Sequence, residues 1–226
     1  SRFGNCLSAD EGSPGSFWFA CRRGSFPSGR RRPLFHISTN HEETMLLKDK
    51  KCLIFGVANN RSIAYGIASC FKEQGARLAF SYAGEAIHKR VEPISEELGG
   101  EFIFPCDVTS DEDIAAAAAL VKEKWGSVDV LVHSVAFANR EDLTKRFIET
   151  SRSGFATALN ISAYSLTALC HAFEPMLNPG ASVLTMTYYG AQKIITNYNV
   201  MGVAKAALEA SVRYLSVDLG AKGVRI

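Results

Sequence analysis

The chain has 226 residues, of which 47% are hydrophobic and 21% charged, and its formal net charge is +2. This is the composition of an ordinary soluble globular protein, and a charge so near zero argues against nucleic acid or an anionic membrane surface as a partner. No apolar run reaches the roughly 18 residues that a membrane-spanning helix needs, so a membrane protein is also not expected.

The first 44 residues differ in composition from the rest of the chain. They are rich in Gly, Ser and Pro, carry the arginine cluster Arg30–Arg32, and show neither a helical nor a strand period. Three interpretations compete: a disordered extension, an organelle-targeting peptide, or translated upstream sequence with Met45 as the true start. Acidic residues such as Asp10 and Glu11 weaken the targeting interpretation. We favour the third, with one domain over residues 45–226.

From Met45 onward, strand-like apolar runs alternate with longer helix-like segments. Serine at helix starts and glycine at helix ends supply the expected capping signals. The predicted strands are Lys51–Gly56, Arg77–Tyr82, Phe102–Cys106, Val128–Ser134 and Ser182–Thr187, and the predicted helices are Ser62–Gln74, Glu85–Leu98, Ser110–Trp125, one within Arg152–Leu177, and Tyr198–Leu219.

The strands are continuously apolar rather than alternating in polarity. Such strands are typical of a parallel sheet that is covered by helices on both faces, so we predict a single doubly wound α/β domain. The chain stops at G-V-R-I, which looks like the beginning of another strand after a long helix. We therefore expect a sequence that lacks the C-terminal edge of its domain.

The cysteines and histidines do not predict a metal site. Six cysteines are scattered without C-x-x-C spacing, and the five histidines show no ligand spacing either. Cys52, Cys70, Cys106 and Cys170 lie in apolar strand-like or helix-like runs, so core thiols in a reducing compartment are expected rather than disulfides or zinc.

The ends of the predicted strands favour a dinucleotide site, because ligands of open parallel sheets collect at the carboxyl ends of the strands. The first turn reads G-V-A-N-N-R-S-I-A-Y-G: Gly56 allows a tight turn, and Ser62 opens a helix whose amides can face a pyrophosphate. Asp107 and Val108 follow the third strand, where an aspartate can accept from an adenine amino group. An ordinary loop and a helix-capping aspartate stay open as alternatives.

Small residues follow the fourth strand, where a nicotinamide ribose would pass. They are Ser134, Val135 and Ala136, followed by Phe137. Because the residues at several strand ends are all suited to contact the same dinucleotide, we predict the cofactor site at this edge of the sheet.

Tyr198 and Lys205 are seven residues apart, and Tyr188 lies ten residues before Tyr198. Seven residues are about two helical turns, so the phenol and the ammonium are expected on one face of one helix. A neighbouring cation lowers the pKa of a phenol, which then polarises or protonates a developing oxyanion, as in a carbonyl or enoyl reductase. The alternative is a half-buried tyrosine with a solvated lysine.

Five segments together carry a family resemblance: Y-Y-G-A-Q-K-I-I-T-N-Y-N-V-M-G-V-A-K, G-V-A-N-N-R-S-I-A-Y-G-I-A, C-D-V, V-H-S-V-A-F-A and M-L-N-P-G. The chain resembles the bacterial-type enoyl-acyl-carrier-protein reductases of the short-chain dehydrogenase/reductase superfamily over Met45–Ile226. The six-residue gap between Tyr198 and Lys205 is specific, since ordinary members of that superfamily have three residues there. Ordinary members also carry N-N-A-G where this chain has H-S-V-A.

The resemblance implies a Rossmann-like domain, usually a homotetramer and cytoplasmic. It implies that NADH or NADPH reduces a trans-2-enoyl thioester on acyl carrier protein during fatty acid elongation. By match, the catalytic residues would be Tyr188, Tyr198 and Lys205. Tyr198 would hydrogen-bond the thioester oxygen, Lys205 would hold the nicotinamide ribose, and Tyr188 would line the acyl site and serve as a second acid. The matches to cofactor contacts are Gly56, Ser62, Ile63, Asp107, Val108 and Val135, and Ala138 matches a substrate contact.

Two departures from the family pattern carry expectations of their own. Ala83 stands where many relatives have glutamine, and Glu85 would repel a 2′-phosphate, so NADH is favoured, although His88 and Lys89 leave NADPH open. The family's Pro-Gly loop, mobile acyl-covering segment and last strand are absent, so the polypeptide alone is expected to be inactive. The alternatives are another member of the superfamily that reduces a carbonyl, and an inert truncated dinucleotide-binding fragment.

Overall fold

The computed structural model describes residues 45–226. The expectations for residues 1–44 lie outside the described residues. Strands and helices alternate along the described chain. The strands are β1 (Lys51–Phe55), β2 (Arg77–Tyr82), β3 (Phe102–Pro105), β4 (Val128–His133) and β5 (Leu177–Thr185). The helices are α1 (Ile63–Glu73), α2 (Glu85–Leu98), α3 (Asp111–Trp125), α4 (Arg140–Thr144), α5 (Arg152–Leu159), α6 (Ser165–Phe173) and α7 (Asn199–Gly220).

The strands form one parallel sheet in the order β3-β2-β1-β4-β5. The order reverses at β1, which pairs with β2 through Leu53–Ala79 and with β4 through Leu53–Leu131. Such a reversal is where ligands bind in doubly wound folds, at the carboxyl ends of the strands. The predicted Rossmann-like fold is therefore confirmed.

The sheet has a hydrophobic core on each face. In β1, Leu53 and Phe55 pack in one core with α3, α6 and α7, whereas Cys52 and Ile54 pack in the other with α1 and α2. Neighbouring residues of a strand point to opposite faces, so a strand buried on both sides must be apolar throughout. This explains the continuous apolar runs of the sequence.

The capping signals are mostly confirmed. The Ser110 side chain accepts a hydrogen bond from the Asp113 backbone N–H at the start of α3. Gly75 and Gly99 follow α1 and α2 with φ of 78° and 70°, a left-handed conformation that glycine adopts without strain. Ser62 occupies the N-cap position of α1, but its hydroxyl donates to the Asn59 carbonyl at 2.6 Å instead of capping the helix.

Three predictions about elements were incomplete, and one about a cysteine was wrong. The helix predicted within residues 152–177 is divided by a π-helical turn, Asn160–Tyr164, and the short helix α4 was missed. β5 begins five residues earlier than predicted, at Leu177 instead of Ser182. Cys70 is exposed rather than a core thiol. The terminal G-V-R-I contributes one parallel bridge, between Arg225 and Ser182.

Among residues 45–226, no helix combines the length and the apolar content needed to cross a bilayer.

Candidate active site

The turn after β1 and the loop after β4 meet at the carboxyl edge of the sheet. Gly56 has a φ of 98°, and a Cβ at this position would overlap the Ser134 carbonyl. The Ser134 N–H donates to the Phe55 carbonyl at 3.0 Å, which keeps the two segments together. Both the positive φ and the close approach to the Ser134 carbonyl require glycine at position 56. Because glycine has no side chain, the first turn can pack directly against the loop after β4.

A cavity of about 680 Å³ lies at this edge. It brings together nine of the residues that the sequence analysis selected, from four separate parts of the chain. They are Gly56, Ser62, Ile63, Ser134, Val135, Ala136, Tyr188, Tyr198 and Lys205. The start of α1 thus faces the same space as the Tyr/Lys pair, which is the arrangement needed to hold a phosphate at one end and a reacting group at the other.

A second cavity, of about 340 Å³, continues along the strand ends toward β2 and β3. It shares Gly56 and the loop after β4 with the first cavity and adds Asp107 and Val108. The Asp107 carboxylate accepts from the Thr109 backbone N–H at 2.9 Å and from its hydroxyl at 2.8 Å, so this aspartate also stabilises its own turn. The two cavities together form an elongated cleft of the shape that a dinucleotide requires.

The rim of the second cavity carries the residues that bear on cofactor choice. Ala83 lines the cavity, and Glu85 opens α2 just beyond it. The Glu85 carboxylate lies 3.6 Å from the Lys89 ammonium and 3.7 Å from the His88 ring. Both side chains that could serve a 2′-phosphate therefore lie beside a carboxylate, which would repel that phosphate, and this arrangement disfavours NADPH.

Lys205 is 5% exposed, and its Nζ donates to the Met186 backbone carbonyl at 2.6 Å. Burial lowers the pKa of Lys205. The carbonyl belongs to the segment between β5 and Tyr188, so the hydrogen bond joins α7 to the end of the sheet. Since an ammonium has three protons, others can still be donated to a ligand in the cavity.

Tyr188 and Tyr198 form an aromatic pair. Their ring centroids are 4.8 Å apart and the rings are inclined at 62°, the edge-to-face geometry that aromatic rings prefer. Tyr198 is the N-cap residue of α7 rather than part of the helix, and it lies between Asn197 and Asn199, which have φ of 62° and 34°. The predicted common helix face is thus modified: the tyrosine directly precedes the helix that carries the lysine.

The expected effect of Lys205 on the phenol was wrong. The sequence analysis predicts a lowered pKa, but burial, and secondarily Tyr188, raises the pKa of Tyr198 above its usual value. The physical reason is that partial desolvation disfavours the phenolate and the neighbouring group is another phenol. Tyr198 therefore remains protonated at neutral pH, which leaves its phenolic proton available for donation.

A third cavity, of about 430 Å³, is also lined by Tyr198. Phe147, Ile194, Ile195 and Val203 give it apolar walls, and Ile195 and Tyr198 also line the first cavity. Apolar walls of this kind suit an apolar chain. Ala138, the predicted substrate contact, lines none of these three cavities.

Several lining residues escaped the sequence analysis. Met186, Thr187, Ile195 and Thr196 all line the cavity with Lys205. The only sequence feature that could have indicated these residues is their closeness in the chain to Tyr188 and Tyr198. Met186 could not be found in this way, because it contributes a backbone carbonyl and a pattern of side chains does not reveal backbone partners.

A family model described as enoyl-(acyl carrier protein) reductase matches residues 56–226. A curated relative from Rhizobium meliloti (strain 1021), named enoyl-(acyl-carrier-protein) reductase (NADH) 1, is 51% identical over 181 residues, which are 80% of this chain and 66% of the relative. The chain thus spans slightly less than two thirds of that protein's length.

Solved structures agree with the sequence matches. An enoyl-(acyl-carrier-protein) reductase from Anaplasma phagocytophilum in complex with NAD has a TM-score of 0.77 and 46% identity, covering 79% of this chain and 69% of that one. The Bacillus cereus enoyl-acyl carrier protein reductase with NADP⁺ and indole naphthyridinone has a TM-score of 0.78 and 47% identity, covering 80% and 71%.

Proposed function

Since this chain belongs to the enoyl-(acyl-carrier-protein) reductase family, we propose that the protein reduces the trans-2 double bond of an enoyl thioester on acyl carrier protein, with NADH as the reductant. One observation carries the proposal. The start of α1, the loop after β4, Tyr188, Tyr198 and Lys205 all line one cavity at the carboxyl edge of a doubly wound sheet.

The cleft fits a nicotinamide dinucleotide. Its floor is the flat turn at Gly56, and the amides at the start of α1 face the position of an anionic pyrophosphate. When bound, NADH supplies the hydride that is added to C3 of the enoyl group. Lys205 would hold the ribose hydroxyls through the protons of its ammonium that Met186 leaves available. The paired Glu85 and Lys89 and the NADH named for the Rhizobium relative both favour NADH.

Tyr198 would stabilise the developing enolate. Negative charge collects on the thioester oxygen only as the double bond is reduced, so a donor already aimed at that oxygen stabilises the transition state more than the bound substrate. The raised pKa of Tyr198 keeps the phenolic proton in place for this hydrogen bond. The apolar cavity that Tyr198 also lines would receive the acyl chain, with Tyr188 packed against the Tyr198 ring.

The test is Tyr198→Phe in the protein expressed from its complete reading frame. We expect turnover of a crotonyl thioester to fall about 10² to 10³-fold while NADH binding is retained, because one oxyanion donor is lost. Turnover is followed by NADH absorbance and binding by calorimetry. Tyr189→Phe is the matched control, since Tyr189 is the exposed neighbour and lines none of the three cavities.

Two results would contradict the proposal. Unchanged turnover in Tyr198→Phe would remove the assigned role of the phenol, and reduction of ketones in preference to crotonyl thioesters would favour a carbonyl reductase. The same assay with NADPH tests cofactor choice, where we expect the lower rate.

The cellular setting is proposed on the resemblance alone. We propose a cytoplasmic homotetramer whose reductase domain is residues 45–226, with acyl carrier protein as the carrier of the substrate and residues 1–44 as a separate leader.

A further inference from the structure

The π-helical turn Asn160–Tyr164 places two serines deep in the protein. A π turn contains one residue more than an α-helical turn, so it rotates the side chains that follow, and such turns are frequent at functional sites. Ser162 and Ser165 are both completely buried. A buried hydroxyl must be hydrogen-bonded to be tolerated, so their partners show what the turn holds in place.

Ser162 is bonded twice to one residue of the loop after β4. Its Oγ accepts from the Phe137 backbone N–H at 3.0 Å and donates to the Phe137 backbone C=O at 3.0 Å. One hydroxyl thus satisfies both main-chain groups of a single residue. Phe137 directly follows Val135 and Ala136, which line both cavities of the proposed cofactor cleft.

The same hydroxyl lies against the helix that carries the reactive side chains. Ser162 Oγ is 3.6 Å from the sulfur of Met201, in the first turn of α7 and three residues after Tyr198. The loop, the π turn and the start of α7 therefore meet at this one polar atom, which belongs to a completely buried residue.

We propose that Ser162 is a positioning residue, which holds the loop Ser134–Ala138 in the shape that lines the cofactor cleft. Without the hydroxyl, the N–H and C=O of Phe137 would both lose their partner, and a loop that retains few other anchors would sample other conformations. This inference rests on the proposed function for its consequence in cofactor binding. The contact itself can be tested separately.

Ser165 provides a matched control on the next turn. Its hydroxyl is equally buried, donates to the Ile161 carbonyl at 2.7 Å and lies 2.7 Å from Nε2 of His133. Among the hydrogen bonds within residues 45–226, none joins Ser165 to the loop Ser134–Ala138. Replacing either serine by alanine therefore removes one buried hydroxyl, but only Ser162→Ala releases the loop.

The experiment compares Ser162→Ala and Ser165→Ala in the complete protein. We expect Ser162→Ala to raise the dissociation constant of NADH about tenfold, and to accelerate amide hydrogen exchange at Phe137 by a similar factor, since both main-chain groups of Phe137 lose their partner. Ser165→Ala should change the dissociation constant and the exchange rate by no more than about twofold, because the hydrogen bonds of Ser165 do not involve the loop. NADH binding is measured by calorimetry and exchange by NMR.

The proposal is overturned if Ser162→Ala leaves NADH affinity unchanged, or if Ser165→Ala weakens it equally, because the effect would then be general destabilisation. The unchanged protein gives an independent test if Ser162→Ala does not fold. Its Phe137 amide should be protected from exchange without cofactor, and exchange as fast as in an exposed loop would overturn the proposal. A protein that binds no NADH at all would contradict the proposed function, while the Phe137 exchange rates would still decide the contact.

Discussion

The ammonium of Lys205 has a specific structural partner as well as a proposed ligand. Its hydrogen bond to the Met186 carbonyl fixes the side chain at the end of β5, next to the cavity that Tyr198 also lines. A buried lysine with a lowered pKa is costly to keep charged, and ionisable groups with shifted pKa values are frequent at functional sites, in line with the proposed ribose contact.

We expect Lys205→Ala to raise the dissociation constant of NADH about tenfold or more, because hydrogen bonds from a charged donor are the stronger ones. Calorimetric titration of the purified variant measures this directly. Lys124→Ala, which removes an exposed lysine of α3, serves as the control. An unaltered dissociation constant in Lys205→Ala would count against the assignment of the ribose contact.

The short 3₁₀ turn Tyr189–Ala191 and the first turns of α7 pack with almost no space between them. A Cβ on Gly190 would overlap Cδ1 of the Tyr198 ring, and a Cβ on Gly202 would lie 2.8 Å from the Gly190 carbonyl oxygen. Neither glycine is needed for a positive φ. Gly202 is needed because the two elements touch through backbone, and Gly190 because the Tyr198 ring packs directly against it. These contacts set where the phenol lies.

Gly190→Ala is therefore expected to displace the Tyr198 ring and to lower turnover by about 10²-fold, the usual effect of shifting a reacting group by about 1 Å. NADH affinity should change much less, because the turn does not line the cavity at α1. Turnover and NADH binding are measured as for Tyr198→Phe. Gly66→Ala in α1, where an added Cβ meets nothing within 4 Å, should leave turnover unchanged. Normal turnover in Gly190→Ala would show that the ring tolerates displacement.

His133 connects three elements of the molecule beneath the active site. It is completely buried at the end of β4, with Nδ1 2.8 Å from the Thr185 hydroxyl of β5 and Nε2 2.7 Å from the Ser165 hydroxyl of α6. Burial, and secondarily the charge of Lys205, lowers the pKa of His133 from 6.5 to about 4. A neutral imidazole can bond both hydroxyls, one as donor and one as acceptor.

This lowered pKa makes folding stability depend on pH. Between pH 6.5 and about 4, the unfolded chain binds a proton at His133 and the folded chain does not, so lowering the pH favours unfolding. We expect the contribution of His133 to be fully present above its unfolded pKa and to fall by about 3 kcal/mol toward pH 4. Urea denaturation across this range measures it. His133→Asn should show a smaller loss, and an equal loss would contradict the assignment.

The sequence by itself determined the doubly wound class, the approximate limits of most strands and helices, and the candidate site residues at the ends of the strands. Continuous apolar runs, serine caps and glycine stops report local burial and backbone conformation, as Leu53, Ser110 and Gly75 show. These properties depend on residues close together in the chain, with periods of 2 and 3.6, and can be read without a fold.

Tertiary structure alone decided the partners of those residues. It raised the pKa of Tyr198 where the sequence predicted a lowered one, joined Lys205 to a backbone carbonyl, and divided the predicted helix by a π turn that brings Ser162 to Phe137. Ser162 and Phe137 are 25 residues apart, and Lys205 and Met186 are 19 apart. Such pairs depend on helix packing and strand register, which bring distant segments together, and neither propensity nor local spacing encodes which backbone group will be the partner.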